Sequence, residues 1–356
     1  MDDLPLVTIA VPCLDEERYI ETCIESLRTQ DYPSDRVEII VADGGSRDRT
    51  LEILERLSGD DDRIRIVHNV ERIQAAGLNA AIRAARGTIV VRADVHAEYA
   101  RDYIRQCVEV LAETGASNVG GAARPKGKTR FQRAMCAALR SPLSFGGSKY
   151  RDARNEGWVE SVFPGAFRRE IFDRVGMFDP RAITNEDAEL NQRIWESGGK
   201  VWLSPKIVVH YFPRESLGSV ATQYFKYGSG RARTLLKRGR FLALRPAVPF
   251  LALAGELVLG IVAPPLALVA LGGYVTLTFV EACRVGRGEG VRAIPVVWAI
   301  FPVVHVAHGV GFAAGLVRYT LAPDWDHVEV GAAPGRAAER GSAPSHPSGV
   351  AGDATD

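Results

Sequence analysis

An α/β fold is predicted, a mostly parallel sheet with helices on both faces, followed by C-terminal hydrophobic helices. Three observations predict it. Short apolar runs alternate with helix-period segments through the first 240 residues. The runs are continuously apolar, as strands buried on both faces are. Near residue 242 the chain then turns from charge-dense to almost charge-free.

The elements follow in order. Leu6-Val7-Thr8-Ile9-Ala10-Val11 reads as a buried strand ended by Pro12. Ile20, Cys23, Ile24 and Leu27 recur at helical spacing. Val37 to Val41 is a second strand, followed by the turn Asp43-Gly44-Gly45-Ser46 and a helix carrying Leu51, Ile53, Leu54 and Leu57. Ile64, Ile66 and His68 alternate as a short strand, Ala75 to Ala85 is a small-residue helix, and Thr88 to Arg92 is the next strand. Right-handed crossovers place the loops after these strands on one edge, where open α/β sheets bind ligands. The sheet is Rossmann-like but has no G-x-G-x-x-G, so a dinucleotide dehydrogenase is not expected.

A chain of 356 residues allows one large or two ordinary domains. A formal net charge of +1 argues against a nucleic-acid partner. Five scattered cysteines without C-x-x-C spacing read as reduced thiols. The N-terminus lacks a basic n-region, so no signal peptide is predicted.

Pro246 to Cys283 holds only Glu256 and Glu281 as charged groups, and Ala293 to Val317 holds none. Apolar stretches of about 20 residues are long enough to cross a bilayer. Three spans are expected, near 246–263, 266–283 and 294–317, with Pro264-Pro265 turning the first into the second. The domains are then 1–241, 242–320 and a tail over 321–356, expected to be disordered from its small residues, Pro and Gly. Lys237, Arg238, Arg240 and Arg245 precede the first span, and Arg284, Arg287 and Arg292 lie between the second and third. The positive-inside rule puts these flanks and the N-terminal domain in the cytoplasm, on the inner membrane.

The residues suited to chemistry follow strands. Pro12 to Glu17 either grips a nucleoside or caps a helix. Asp43 stands where a carboxylate can accept from a base or ribose, with Ser46 or Asp48 capping the next helix. Asp94 suits a hard cation, and His96 is a softer neighbour. Glu186-Asp187 opens an apparent helix whose positive end favours an ionised base, unless Asn185 and the acids merely cap it. Trp158 to Ala166 reads as an acceptor-side strand or a core hairpin, and His210 as a ligand contact or a structural histidine. His305 and His308, at i, i+3 in the third apolar segment, are either a functional intramembrane pair or helix packing.

Val11-Pro12-x-x-Asp15-Glu16-Glu17, Val41-Ala42-Asp43-Gly44-Gly45-Ser46-x-Asp48-x-Thr50, Asp94-x-His96 and Glu186-Asp187 resemble, in order, the motifs of inverting glycosyltransferase family 2. The nearest likeness is to its succinoglycan-biosynthesis subfamily, and it covers roughly residues 5–235. The resemblance implies a GT-A fold and a nucleotide-diphospho-sugar donor, most simply a UDP-sugar. It implies that Pro12, Glu16, Asp43 and Asp94 bind that donor, and that Asp94 with His96 holds Mn²⁺ or Mg²⁺. Asp187 becomes the general base beside Glu186. The family's Gln/Arg-x-x-Arg-Trp appears only as Gln223-Tyr224-Phe225-Lys226-Tyr227, leaving Tyr227, Lys226 or Arg231 to meet the leaving diphosphate. The apolar spans imply a lipid-linked saccharide acceptor in exopolysaccharide synthesis. The alternative is a non-catalytic nucleotide-sugar-binding or scaffolding partner.

Overall fold

The apolar runs form the sheet they predict. In the computed structural model, which describes residues 4–145, 152–182, 184–239 and 244–325, β1 (Val7–Cys13), β2 (Val37–Asp43), β3 (Ile64–His68) and β4 (Ile89–Arg92) run parallel in the order β3-β2-β1-β4. Helices α1 (Ile20–Arg28), α2 (Thr50–Asp60) and α3 (Gln74–Ala84) are their crossovers. Alternation of side chains along a strand divides the core in two. Val7, Ile9 and Val11 face a cluster with α1 and α2, whereas Ala10 faces α3.

The chain continues through β5 (Ala97–Tyr99), α4 (Tyr103–Thr114), β6 (Asn118–Gly121), β7 (Arg124–Pro125), α5 (Arg130–Leu139), α6 (Pro142–Phe145), β8 (Gly157–Trp158), β9 (Phe163–Arg168), α7 (Glu170–Val175) and α8 (Glu186–Glu196). Then come β10 (Val201–Leu203) and β11 (Val209–Tyr211). The main sheet is completed as β3-β2-β1-β4-β9-β6-β10-β8, and β5-β11-β7 form a small second sheet. β9 is no outlying hairpin: it lies antiparallel between β4 and β6. Trp158 is left at the edge, its ring edge-on to Trp202.

Helix α9 (Leu217–Arg238) starts with a capping box of Ser216 and Ser219 and ends at Gly239 in the left-handed region. It leads to α10 (Val248–Val262), α11 (Pro264–Gly286) and α12 (Ile294–Leu321). Arg245–Val262, Pro264–Glu289 and Val291–Leu321 have mean hydropathies of 1.6, 1.8 and 1.8, long and apolar enough to cross a membrane. Pro264 and Pro265 open α11, where the missing N–H groups have no helical partner to lose.

The expected boundary at 241/242 is not a packing boundary. α9 lies along α12 at backbone contact: a Cβ at Gly228 would collide with the His308 carbonyl oxygen, and one at Gly311 with that of Phe225. Small residues permit such close approach of helices. Arg240 and the tail expected to be disordered lie outside the described residues from 326 onward and at 240.

Candidate active site

The loops after β1 and β2 are built from the motif residues, which grip one another. Arg47 N–H donates to Asp15 Oδ1 at 2.7 Å, and Asp15 N–H to Ser46 Oγ at 2.9 Å. Glu16 N–H donates to Thr50 Oγ1 at 2.7 Å and Glu17 N–H to Asp48 Oδ2 at 3.0 Å. Burial pushes the Asp48 carboxyl up, but the Thr50 hydroxyl and the N–H groups of Glu17 and Thr50 outweigh it and leave it lowered. Neither acid motif caps its helix in the usual sense.

Asp43 is 2% exposed, and its carboxylate accepts from Gly45 N–H at 2.9 Å and Ser46 Oγ at 2.6 Å. It also takes the buried Cys13 thiol at 3.8 Å, and burial followed by the Asp43 charge pushes that thiol up. Here Asp43 shapes the turn.

Pro12, Glu16, Asp94, His96, Glu186, Asp187, Lys226 and Arg231 line one cavity of about 1910 Å³; Asp43 does not. Drug-sized ligands occupy roughly 300–1,000 Å³, so the space suits two substrates. β4 delivers Asp94 to it, and the Asp94 N–H is fixed by the buried Tyr99 hydroxyl at 2.7 Å. His96 Nε2 lies 3.0 Å from Glu16 Oε1, so this nitrogen is engaged by a carboxylate.

The centre of the site is Arg92. Its Nε donates to Asp94 Oδ1 at 2.9 Å, and its Nη1 stands 2.9 Å from Glu186 Oε1. Burial alone would lower the guanidinium's pKa; the charges of Asp94, Glu186 and Asp187 outweigh it, so the shift is upward. Glu186, 4% exposed, is driven to about 7 by burial, against Arg92 and with the repulsion of Asp187. One turn later, Glu189 is also buried, yet Arg193 and Lys237 overcome its desolvation and hold it at about 2. Cation supply, not burial, separates the two.

α8 is launched by Asn185 at φ 62°, in the left-handed region that Asn tolerates best among residues with a Cβ. Its side chain does not cap α8; the amide donates to the Tyr227 carbonyl of α9 at 3.2 Å. Asp187 Oδ1 accepts from Ala188 N–H at 2.7 Å, and Oδ2 has no partner among the described residues.

The protein-family model described as Glycosyl transferase family 2 matches residues 8–176. Succinoglycan biosynthesis protein ExoA of Rhizobium meliloti (strain 1021) is 38% identical over 243 residues, covering 68% of this chain and 73% of that protein. The chain belongs to glycosyl transferase family 2. A second relative of this glycosyltransferase is 28% identical over 66% of the chain and 75% of its own length. It is the dolichyl N-acetyl-alpha-D-glucosaminyl phosphate 3-beta-D-2,3-diacetamido-2,3-dideoxy-beta-D-glucuronosyltransferase of Methanococcus voltae. The solved mannosyltransferase PcManGT from Pyrobaculum calidifontis, in complex with GDP-Man and Mn²⁺, shares the fold with a TM-score of 0.58 at 24% identity, covering 88% of each chain.

Motif reading missed part of this glycosyltransferase's site. Asn69, Arg72 and Gln74 line the cavity after β3; Asn69 Oδ1 is buried without a partner, and Gln74 Nε2 donates to Asp94 Oδ1 at 3.2 Å. Arg72, at φ 59°, is one of three residues with a Cβ held in the left-handed region among the described residues, and such outliers gather at functional sites. Arg92 looked like an ordinary strand residue, although a cation inside an apolar strand is itself a signal. Of the segment before β9, Glu160 to Phe163 line the cavity, while His210 does not.

Proposed function

We propose that the chain is an inverting hexosyltransferase that uses a UDP-sugar donor and a lipid-linked saccharide acceptor. It acts at the cytoplasmic face of the plasma membrane, in assembly of an exopolysaccharide or other cell-surface glycan. One observation carries the reading: a single cavity joins the loops of Pro12, Glu16 and Asp94 to Glu186-Asp187 and to the walls of α10, α11 and α12. A donor, a base and a route from the apolar helices thus share one space.

In the reaction the acceptor hydroxyl gives its proton to Asp187 as its oxygen attacks the anomeric carbon. The bond from that carbon to the diphosphate breaks on the opposite face, so configuration inverts. Asp187 suits the base because it lines the cavity and its Oδ2 has no partner among the described residues, whereas Glu186 is paired with Arg92. Glu186 and Arg92 fix the field at the start of α8. Lys226, lining the same cavity without a carboxylate partner among the described residues, meets the leaving diphosphate.

Among the described residues no three His, Cys, Asp or Glu side chains are placed to cage an ion. Asp94 lines the cavity at the end of β4, which fits a hard cation held by one carboxylate, phosphate oxygens and water. Mn²⁺ or Mg²⁺ held by Asp94 would supply positive charge for the departing diphosphate. His96, occupied by Glu16, stays beside it.

The test is Asp187→Asn in the full chain, assayed for transfer from UDP-sugars to membrane lipid extract. Transfer is expected to fall on the order of 10²–10⁴-fold, with UDP-dependent thermal stabilisation retained. Wild-type turnover in this variant would remove Asp187 as the base. If GDP- or dTDP-sugars stabilise the protein and UDP-sugars do not, the donor assignment fails.

A further inference from the structure

The α9–α12 wall of the cavity carries a polar pair that the reaction above does not use. Arg231 of α9 and His308 of α12 both line the cavity. Arg231 has no carboxylate partner among the described residues, and it is the strongest charge acting on the His308 ring. The Nδ1 of His308 is buried and has no hydrogen-bond partner among the described residues. Neighbouring groups are already satisfied. Arg245 pairs with Glu160 at 2.7 Å, and His305 sits between the Tyr274 hydroxyl and the Leu143 carbonyl, 2.8 Å from each. Glu256 of α10 also lines the cavity but is not among the charges acting on His308.

A half-buried guanidinium without a carboxylate partner, acting on a ring whose Nδ1 is buried and unpartnered, makes an anion-binding corner of the cavity, because buried polar atoms are otherwise paired. The fold sets the arrangement: Gly228 of α9 meets the His308 backbone of α12, and Arg231 lies one helical turn after Gly228. The surroundings define the rest of the ligand. Val248, Leu271, Val275 and Val306 line the same cavity yet remain 41–57% exposed on the outer faces of their helices. The cavity is therefore open sideways through apolar walls, and an anion bound there can carry a long apolar chain.

We infer that Arg231 and His308 hold the phosphate or diphosphate of the acceptor lipid, whose chain leaves between α10, α11 and α12. This rests on the lipid-linked acceptor proposed above and adds that the anion is what these two side chains recognise. It also moves Arg231 from the donor's diphosphate to the acceptor's.

Farnesyl diphosphate binding to the full chain in detergent tests it. Wild type is expected to bind it, with Arg231→Gln and His308→Leu each weakening binding at least about tenfold and Arg231→Lys restoring part. Farnesol should bind wild type and variants alike, and ligand-free melting temperatures certify folding. Equal binding of farnesyl diphosphate by wild type and both folded variants overturns the site. Inorganic diphosphate competing as strongly as farnesyl diphosphate overturns the lipid as the source of the anion. If Arg231→Gln loses stabilisation by UDP but keeps farnesyl diphosphate binding, Arg231 belongs to the donor. Wild type that binds farnesyl diphosphate through this pair but neither binds nor uses any nucleotide-sugar defeats the proposed function and leaves the anion site standing.

Discussion

At the sheet side of the cavity the polar side chains hold one another, whereas at the helix side several hold nothing. Asp15, Glu17, Ser46, Asp48 and Thr50 exchange hydrogen bonds of 3.1 Å or less between two loops, and Arg92 ties Asp94 to Glu186. Across the cavity, Lys226, Arg231 and His308 Nδ1 have no such partners among the described residues. The sheet side is organised before any ligand arrives, as electrostatic catalysis requires. The helix side keeps donors in reserve for a ligand that brings its own charge.

The largest effect should come from breaking the organised side. Arg92→Leu leaves the buried Glu186 and the half-buried Asp94 without their cation, a change that costs about 3–5 kcal/mol when a buried pair loses one partner. The melting temperature should drop well beyond 4 °C; a shift under about 2 °C would show that Asp94 and Glu186 do not need it. Next is the helix joint. Filling a helical glycine with alanine normally stabilises by about 0.5–1 kcal/mol. At Gly311 the added carbon meets the Phe225 carbonyl, so Gly311→Ala should instead destabilise by about 1–3 kcal/mol. Gly273→Ala, with open space around it, is the control and should be neutral or stabilising by melting temperature. The smallest effect is on pH dependence. Glu186 ionises near 7 in the fold against 4.5 ordinarily, so the folded state binds its proton more tightly. Its contribution is fullest below about 4.5 and declines as pH rises to about 7. Glu186→Gln should flatten that decline in melting temperature between pH 5 and 7.5; an unchanged slope would assign it to other groups.

Strands β1, β2 and β4 were legible because a strand buried on both faces is mostly apolar: all 7, 7 and 4 of their residues are buried, and only Thr8, Glu38, Asp43 and Arg92 among them are polar or charged. The three apolar helices were legible for the same reason, solvent selecting composition. The antiparallel β9 was not, since strand direction depends on what lies beside it and Pro164-Gly165 looks like a turn. Among site residues, the gathering of Asp94 with Glu186 and Asp187 followed from the loops' shared edge. The locking of Asp43 by Ser46, and of His96 by Glu16, did not, because a motif records which residues are needed and not which partner they choose. Arg92 and Glu186 are 94 positions apart, and no local pattern announces their meeting.

Backbone contact at Gly228 and Gly311 has a mechanical consequence. With no side chains between them to act as a cushion, α9 and α12 form one rod, and α9 is bolted to α8 by Lys237 on Glu189 and to the segment before α8 by Arg233 and Lys237 on Asp179. The stretch between the His308 ring and Asp187 is then of fixed length. On the proposed assignments of Asp187 as base and of Arg231 and His308 as anion site, a rigid gauge of this kind would admit a saccharide only when its reacting hydroxyl stands at the matching number of sugar units from its anchor, so acceptor size would be selected by distance before chemistry begins.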